Sequence, residues 1–143
     1  YNRSAALIHC SSMFLRHTFL AMFWALLILL LSALPGDDFP DLSFWSLLSF
    51  DKVVHAFFYA VLVELMIVGF IKQYTFRRLR FSAVTFSVIL GIFYGGLIEF
   101  LQATAFKSRQ GDVMDWIADT IGCLIGMLVF YAIYGKNIVA NKG

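Results

Sequence analysis

The chain has 143 residues, of which 61% are hydrophobic and only 14% are charged, and its formal net charge is +2. A soluble domain is usually about half apolar and about one quarter charged, so this composition excludes a large soluble domain. The apolar residues fall in blocks of about 20, the length that a helix needs to cross a bilayer. The sequence therefore predicts a single all-α domain over residues 1–143, a polytopic membrane protein with four transmembrane helices.

The predicted spans alternate with polar, acidic or basic segments. They cover about residues 17–34, 53–71, 81–105 and 112–134. Pro35-Gly36 ends the first span, because proline cannot continue a helix. The acidic and aromatic segment that follows suits the membrane interface, and a short surface helix is expected around residues 43–49.

The charges divide sharply between the two sides of these spans. The N-terminal arm, the loop after the second span and the C-terminal tail together hold eight basic residues and no acid. The opposite side and the spans hold three basic residues and all nine acids. The positive-inside rule therefore predicts that both termini are cytoplasmic, and that the acidic side faces outward.

Polar residues enter the outer ends of the second and third spans. Asp51, His55 and Tyr59 recur every four residues and therefore share one face of the second helix. Glu99 and Gln102 are three residues apart and share a face of the third. A carboxyl group at this depth must be protonated, paired or hydrated, and ionisable residues inside a span mark a functional site by default.

The fourth span carries a longer stripe, formed by Asp112, Asp115, Asp119, Gly122 and Gly126. The two glycines form a GxxxG pattern, which lets another helix approach closely, so this face is predicted to pack inside the bundle. A helix N-cap explains Asp112, and Asp115 could belong to the same cap region. Asp119 lies about two turns from the helix start, so a cap does not explain it.

These clusters lie at a common depth and predict an outward-facing polar cavity. The candidate catalytic residues are His55, Glu99 and Asp115. The candidate binding residues are the other polar groups around them: Asp51, Lys52, Tyr59, Gln102, Arg109, Asp112 and Asp119. A purely structural pair between Glu99 and Arg109 is an alternative role for these two residues. Glu64 lies mid-span at a different helical phase and is not assigned to the site.

Three segments, taken in order, resemble the VanZ-like family. They are DKVVHAFFYAVL at residues 51–62, GLIEFLQ at 96–102 and RQGDVMDWIADTIGCLIG at 109–126. The resemblance extends over nearly the whole chain and includes the LPG after the first span. One position departs from the family pattern, which has Asn where this chain has Asp119. The resemblance implies a bacterial inner-membrane protein of the cell envelope, linked by the family name to teicoplanin resistance, but it supplies no reaction.

Three functions remain open at this point. The site could bind or act on a lipid or polyprenyl-phosphate head group, with Lys52 and Arg109 on the phosphate and His55 as acid, base or nucleophile. The protein could instead be a non-catalytic accessory or structural subunit of a membrane complex. Proton relay through Glu64 and the buried acids would make it a transporter. Whether it is an enzyme is therefore undecided.

The excess of acids favours a divalent metal among His55, Glu99, Asp112 and Asp115. No compact ligand motif of the HExxH kind is present, so no residue is assigned as a metal ligand and the cofactor stays open. The expected partners are membrane lipids and a protein partner or second copy. No nucleic-acid partner is expected, because the basic loop is an ordinary topology signal.

Overall fold

The computed structural model describes residues 3–33, 50–73, 76–105 and 112–140, with side chains over 14–33, 52–73, 76–105 and 112–135. These ranges contain five helices and no strand. The helices are α1 (Arg3–Ala33), α2 (Phe50–Lys72), α3 (Arg77–Phe81), α4 (Ala83–Thr104) and α5 (Val113–Ala140).

Four of these helices are long and apolar enough to cross a membrane, which confirms the all-helical, four-span prediction. Their candidate spans are Phe14–Ala33, Lys52–Lys72, Ala83–Thr104 and Val113–Gly135. Large apolar side chains such as Leu20 and Phe93 are exposed on the outside of the bundle. An outer surface of this kind suits contact with lipid tails, in which apolar side chains carry no solvation penalty.

Two boundaries differ from the sequence prediction. The N-terminal arm is not separate, because α1 is one continuous helix from Arg3. Part of the basic loop forms the short helix α3, and the third span begins after Ser82, whose N–H bonds the carbonyl of Arg78. The surface helix expected at 43–49 lies outside the described residues.

The long helices run in alternating directions. At one end, the Gln102 side chain of α4 donates to the Ser32 carbonyl of α1 at 3.2 Å. At the same end, Lys52 at the start of α2 reaches Asp112, which precedes α5, at 3.2 Å. We call this end, where α1 and α4 finish and α2 and α5 begin, the site end.

Helix α2 lies at the centre of the bundle and packs against the other three long helices. It supplies more of the buried apolar residues than any other described helix: Tyr59, Leu62, Val63, Met66, Ile67 and Phe70. Helix α1 is tied to this centre by Trp24, whose indole N–H donates to the Phe58 carbonyl at 3.0 Å. The Tyr94 hydroxyl of α4 donates to the Ala25 carbonyl of α1 at 2.7 Å.

The closest helix contact joins α2 and α5 through glycine. A methyl group built on Gly122 would collide with the backbone of Ala56, and one on Gly126 would collide with that of Ala60. The GxxxG face of α5 therefore packs directly onto α2, as its sequence predicts. This contact sets both the distance between the two helices and the depth of their polar residues relative to each other.

At the opposite end, Gln73 organises the connection between α2 and α3. Its side-chain amide is fully buried and donates to the carbonyls of Phe70 and Phe76. Its side-chain oxygen accepts from the backbone N–H of Phe76 at 2.7 Å. One side chain thus satisfies three backbone groups next to the point where α2 ends.

Candidate functional site

Close packing of α5 on both α2 and α4 brings together one imidazole and two carboxyl groups. His55 Nδ1 lies 3.0 Å from Asp119 Oδ1. On the α4 side, Gly95 leaves room for Asp119, because a methyl group there would lie 2.9 Å from Asp119 Oδ2. One potential ligand atom from each of His55, Glu99 and Asp119 lies within 4.8 Å of the others. We call these three residues the buried cluster.

The buried cluster is largely removed from the surface of the bundle. Asp119 is 0% exposed and Glu99 is 8% exposed. The His55 side chain is 14% exposed. Charged groups buried to this extent are stable only when they are paired, protonated or bound to a cation.

Glu99 links the buried cluster to the start of α5. Its Oε2 accepts from the backbone N–H of Asp112 at 2.8 Å. Its other oxygen, Oε1, is buried and has no hydrogen-bond partner among the described residues. One oxygen of this carboxyl group therefore accepts a hydrogen bond at the start of α5. The other oxygen accepts none within the described part of the chain.

Asp112 is the N-cap of α5, which confirms that prediction. Its Oδ1 accepts from the Met114 N–H at 2.8 Å, and its backbone oxygen accepts from the Asp115 N–H at 2.9 Å. The hydrogen bond from Met114 and then the bond from Lys52 lower the pKa of Asp112 from its ordinary value of 3.8. This residue thus remains ionised and stabilises the positive end of the helix dipole.

Lys52 and Asp115 form a separate group nearer the end of the helices. The Lys52 ammonium lies 2.7 Å from Asp115 and 3.2 Å from Asp112. Asp115 is therefore engaged by Lys52 and not by His55. Asp119 is the carboxylate that meets His55, because it lies where the glycines of α5 and α4 allow close approach.

Two of the predicted binding residues, Tyr59 and Gln102, are buried within the helix bundle. Tyr59 is 1% exposed and its ring packs against Tyr94 with centroids 6.3 Å apart. Its hydroxyl has no hydrogen-bond partner among the described residues. Gln102 is buried and its amide donates to the Ser32 carbonyl, so it helps to hold α1 against α4.

Three other residues complete the comparison with the predicted site. Arg109 and the side chain of Asp51 lie outside what the structure describes, so the Glu99–Arg109 pair stays a prediction. Glu64 is half-buried in mid-span, nine residues beyond His55 on α2. It makes no hydrogen bond or ion pair within the described part of the chain.

A groove of about 330 Å³ opens between α4 and α5 beside Glu99. It is lined by Gly96, Glu99, Phe100, Ala103, Val113 and Trp116. Of the described residues that were predicted to surround a cavity, only Glu99 lines this groove. Its walls are mostly apolar, and Glu99 is the one acid among the residues that line it.

Sequence reasoning missed Trp116, which forms one wall of this groove. Its indole N–H donates to the Ile92 carbonyl at 3.0 Å, and a methyl group built on Gly96 would lie 3.3 Å from the indole nitrogen. The available signal was the Gly95-Gly96 pair, which leaves room for a large side chain on a neighbouring helix. The sequence could not identify which side chain that is.

A protein-family model matches most of this chain. The family model for VanZ/LLP1 matches residues 11–134, which include the first three candidate spans, all but the last residue of the fourth, and the whole buried cluster. Searches of the curated proteins and of the solved structures gave no significant match. Since the family model covers most of its length, the chain belongs to the VanZ/LLP1 family.

Proposed function

We propose that this protein binds or acts on the head group of a lipid or polyprenyl phosphate at the outer face of the bacterial inner membrane. The observation that carries the proposal is the convergence of polar groups from α2, α4 and α5 at one end of an otherwise apolar bundle. Polar and ionisable groups inside a span are costly, and they persist where they serve a ligand or a reaction. Through the family, the function is linked to the cell envelope and to tolerance of glycopeptides such as teicoplanin.

The orientation rests on the charges of the loops. The residues that precede the first span, join the second to the third and follow the fourth hold eight basic groups and no acid. Short loops with this bias remain on the cytoplasmic side, which puts both termini in the cytoplasm. The site end then faces outward, where envelope lipids and their phosphate carriers are handled.

The depth of the buried cluster also suits a head group. At 1.5 Å per residue, His55 lies about 4.5 Å inside the start of its span and Asp119 about 9 Å inside its own. By the same measure Glu99 lies about 7.5 Å from the end of α4. The head-group layer of one leaflet is about 5–8 Å thick, so the cluster lies just beneath it.

The groove beside Glu99 supplies a route from the lipid phase. Its apolar lining suits an acyl or prenyl chain, and the polar end of such a molecule is proposed to lie near Glu99. His55 is the group of the cluster that can both donate and accept a proton near neutral pH, so it is assigned as the acid, base or nucleophile. Lys52 is already engaged by two carboxylates, so Arg109 is proposed as a cation that holds the phosphate.

The test is binding of a polyprenyl phosphate to the full chain in phosphatidylcholine nanodiscs, measured by native mass spectrometry. The matched ligand is the corresponding polyprenol, which lacks the phosphate. His55→Gln keeps an amide beside Asp119 and is expected to weaken phosphate binding by about 10- to 100-fold, the value of one charge-assisted hydrogen bond. Glu64→Gln, also an acid in a span but outside the site, is the control and should bind normally.

Equal binding of the phosphate and the alcohol would refute a head-group site. Binding that His55→Gln leaves unchanged would show that the cluster does not contact the head group.

The second candidate is a non-catalytic accessory or structural subunit of a membrane complex. It is favoured by the ion pairs of Lys52 with Asp112 and Asp115, which join the starts of α2 and α5. In that case His55→Gln should be tolerated, and Lys52→Met should lower the melting temperature. The double variant Lys52→Met/Asp115→Asn should then recover part of that loss, since it removes the unpaired acid.

A further inference from the structure

We propose that His55, Glu99 and Asp119 form a binding site for one divalent transition-metal ion such as Zn²⁺. The three residues come from three different helices, so no single sequence motif contains them. Their potential ligand atoms already lie within 4.8 Å of one another. This set differs from the one the sequence suggests, because Asp112 and Asp115 are held by Lys52 and Asp119 replaces them.

The buried, unused oxygen of Glu99 is the independent evidence for a ligand here. Oε1 belongs to a side chain that is 8% exposed, and it has no hydrogen-bond partner within the described ranges. One turn further along α2, the hydroxyl of Tyr59 is also buried without a partner among those residues. Buried polar atoms that lack a partner cost free energy, and a cation or its bound water would satisfy them.

The geometry fits a small ion with short bonds. Zn²⁺ binds nitrogen and oxygen ligands at about 2.1 Å, so neighbouring ligands in a tetrahedron lie about 3.4 Å apart. His55 Nδ1 and Asp119 Oδ1, at 3.0 Å, are already close to that spacing. Glu99 needs to move by no more than about 1.4 Å to complete the set, which rotation of its side chain can supply.

The ligand types select the class of metal. One imidazole with two carboxylates suits Zn²⁺, Mn²⁺ or Fe²⁺, whereas Mg²⁺ and Ca²⁺ prefer sites made only of oxygen. Three protein ligands leave a fourth position open, which is the arrangement of a catalytic rather than a structural zinc site. Two buried carboxylates also supply the negative charge that a buried dication needs.

A bound metal would reverse the local charge of a site in which acids outnumber cations. The open position would then accept a phosphate oxygen from the head group, a role that rests on the binding part of the proposed function and in which His55 acts as a ligand, not as acid, base or nucleophile. The metal site itself does not rest on it. Metal binding can therefore be measured in the absence of any polyprenyl phosphate.

The experiment uses the full chain in phosphatidylcholine nanodiscs, stripped with a chelator and titrated with Co²⁺ as a spectroscopic probe. We expect one Co²⁺ per chain, visible absorption bands of a coordinated ion, and displacement of the bands by Zn²⁺. Glu99→Gln keeps the acceptor for the Asp112 N–H but removes the anionic ligand, and should lower Co²⁺ affinity by about 100-fold or more. Asp119→Asn keeps a hydrogen-bonding partner for His55 and should have the same effect.

Glu64→Gln is the matched control, since it removes a half-buried acid from the same helix as His55 without touching the buried cluster, and should bind Co²⁺ as the unaltered chain does. Size-exclusion profiles and helical circular dichroism establish that each variant is folded. If Glu99→Gln does not fold, the comparison of Asp119→Asn with Glu64→Gln decides the question.

The proposal is overturned if the stripped protein binds no Co²⁺, or if the folded ligand variants bind it as tightly as Glu64→Gln does. Metal binding without selective polyprenyl-phosphate binding would support the metal site while refuting the lipid function. Selective lipid binding without any metal would do the reverse.

Discussion

Substitution of Gly122 by alanine tests the contact on which the whole site depends. The methyl group would collide with the Ala56 carbonyl oxygen and would lie 2.7 Å from the Ala56 Cα, whereas ordinary contact begins at 3.4 Å. Helices α2 and α5 must therefore separate by at least about 0.7 Å at this point, because the obstacle is backbone and cannot rotate away. Overpacking of this kind costs about 1–3 kcal/mol of folding free energy.

The same helix offers graded controls. At Gly126 the methyl group would also collide with a carbonyl oxygen, that of Ala60, but it would lie 3.0 Å from the Ala60 Cα, so the overlap is smaller and Gly126→Ala should cost less than Gly122→Ala. At Gly135 the nearest atoms belong to Tyr131 at 3.9 Å, an ordinary contact distance. Gly135→Ala should thus be neutral or slightly stabilising, since alanine favours the helix by about 1 kcal/mol over glycine.

The shift should also reach the site. Asp119 is three residues before Gly122, so it moves with that turn of α5. A separation of about 0.7 Å would stretch the 3.0 Å contact between His55 and Asp119 beyond hydrogen-bond range. Gly122→Ala should therefore lower both stability and the Co²⁺ affinity of the buried cluster.

Thermal unfolding in detergent, followed by circular dichroism, measures the series. From the most to the least stable variant, the expected order is Gly135→Ala, Gly126→Ala and Gly122→Ala. Equal stability of Gly122→Ala and Gly135→Ala would refute the close contact of α5 with α2. A larger loss at Gly126 than at Gly122 would show that the two helices meet at a different depth.

Two further predictions concern the two ends of the bundle. Gln73→Leu should cost about 2–4 kcal/mol in thermal unfolding, because three backbone groups lose their partner. The exposed Ser82→Ala at the same end should cost little, and similar losses in both would contradict this role. Asp112 has a folded-state pKa below 3.8, so its stabilisation is complete above that pH and is lost as the pH falls through the folded value. Asp112→Asn keeps the cap but cannot ionise. When the pH is lowered from about pH 5 to pH 3, the melting temperature of this variant should therefore fall less than that of the unaltered chain. An equal fall in both would exclude this contribution.

The four spans and the N-cap at Asp112 could be predicted from the sequence, because each depends only on residues that are close together in the chain. A run of about 20 apolar residues crosses a bilayer whatever surrounds it, and Asp112 caps α5 with its own neighbours. The close approach at Gly122 and Gly126 was also predictable, since small residues at that spacing leave a groove on any helix. The sequence could not show that Ala56 and Ala60 are the residues that fill this groove.

Which residues form the site depends on how the helices pack against one another. Periodicity places Asp115 and Asp119 on one side of α5, but it does not state the height or rotation of α5 against α2 and α4. The contacts at Gly95 and Gly122 settle that height, so Asp119 meets His55 while Asp115 meets Lys52. The sequence by itself thus determined a four-helix membrane bundle with its polar residues near one end. Only the tertiary structure decided which of those residues touch, because side-chain contacts between helices follow from packing geometry that no single helix contains.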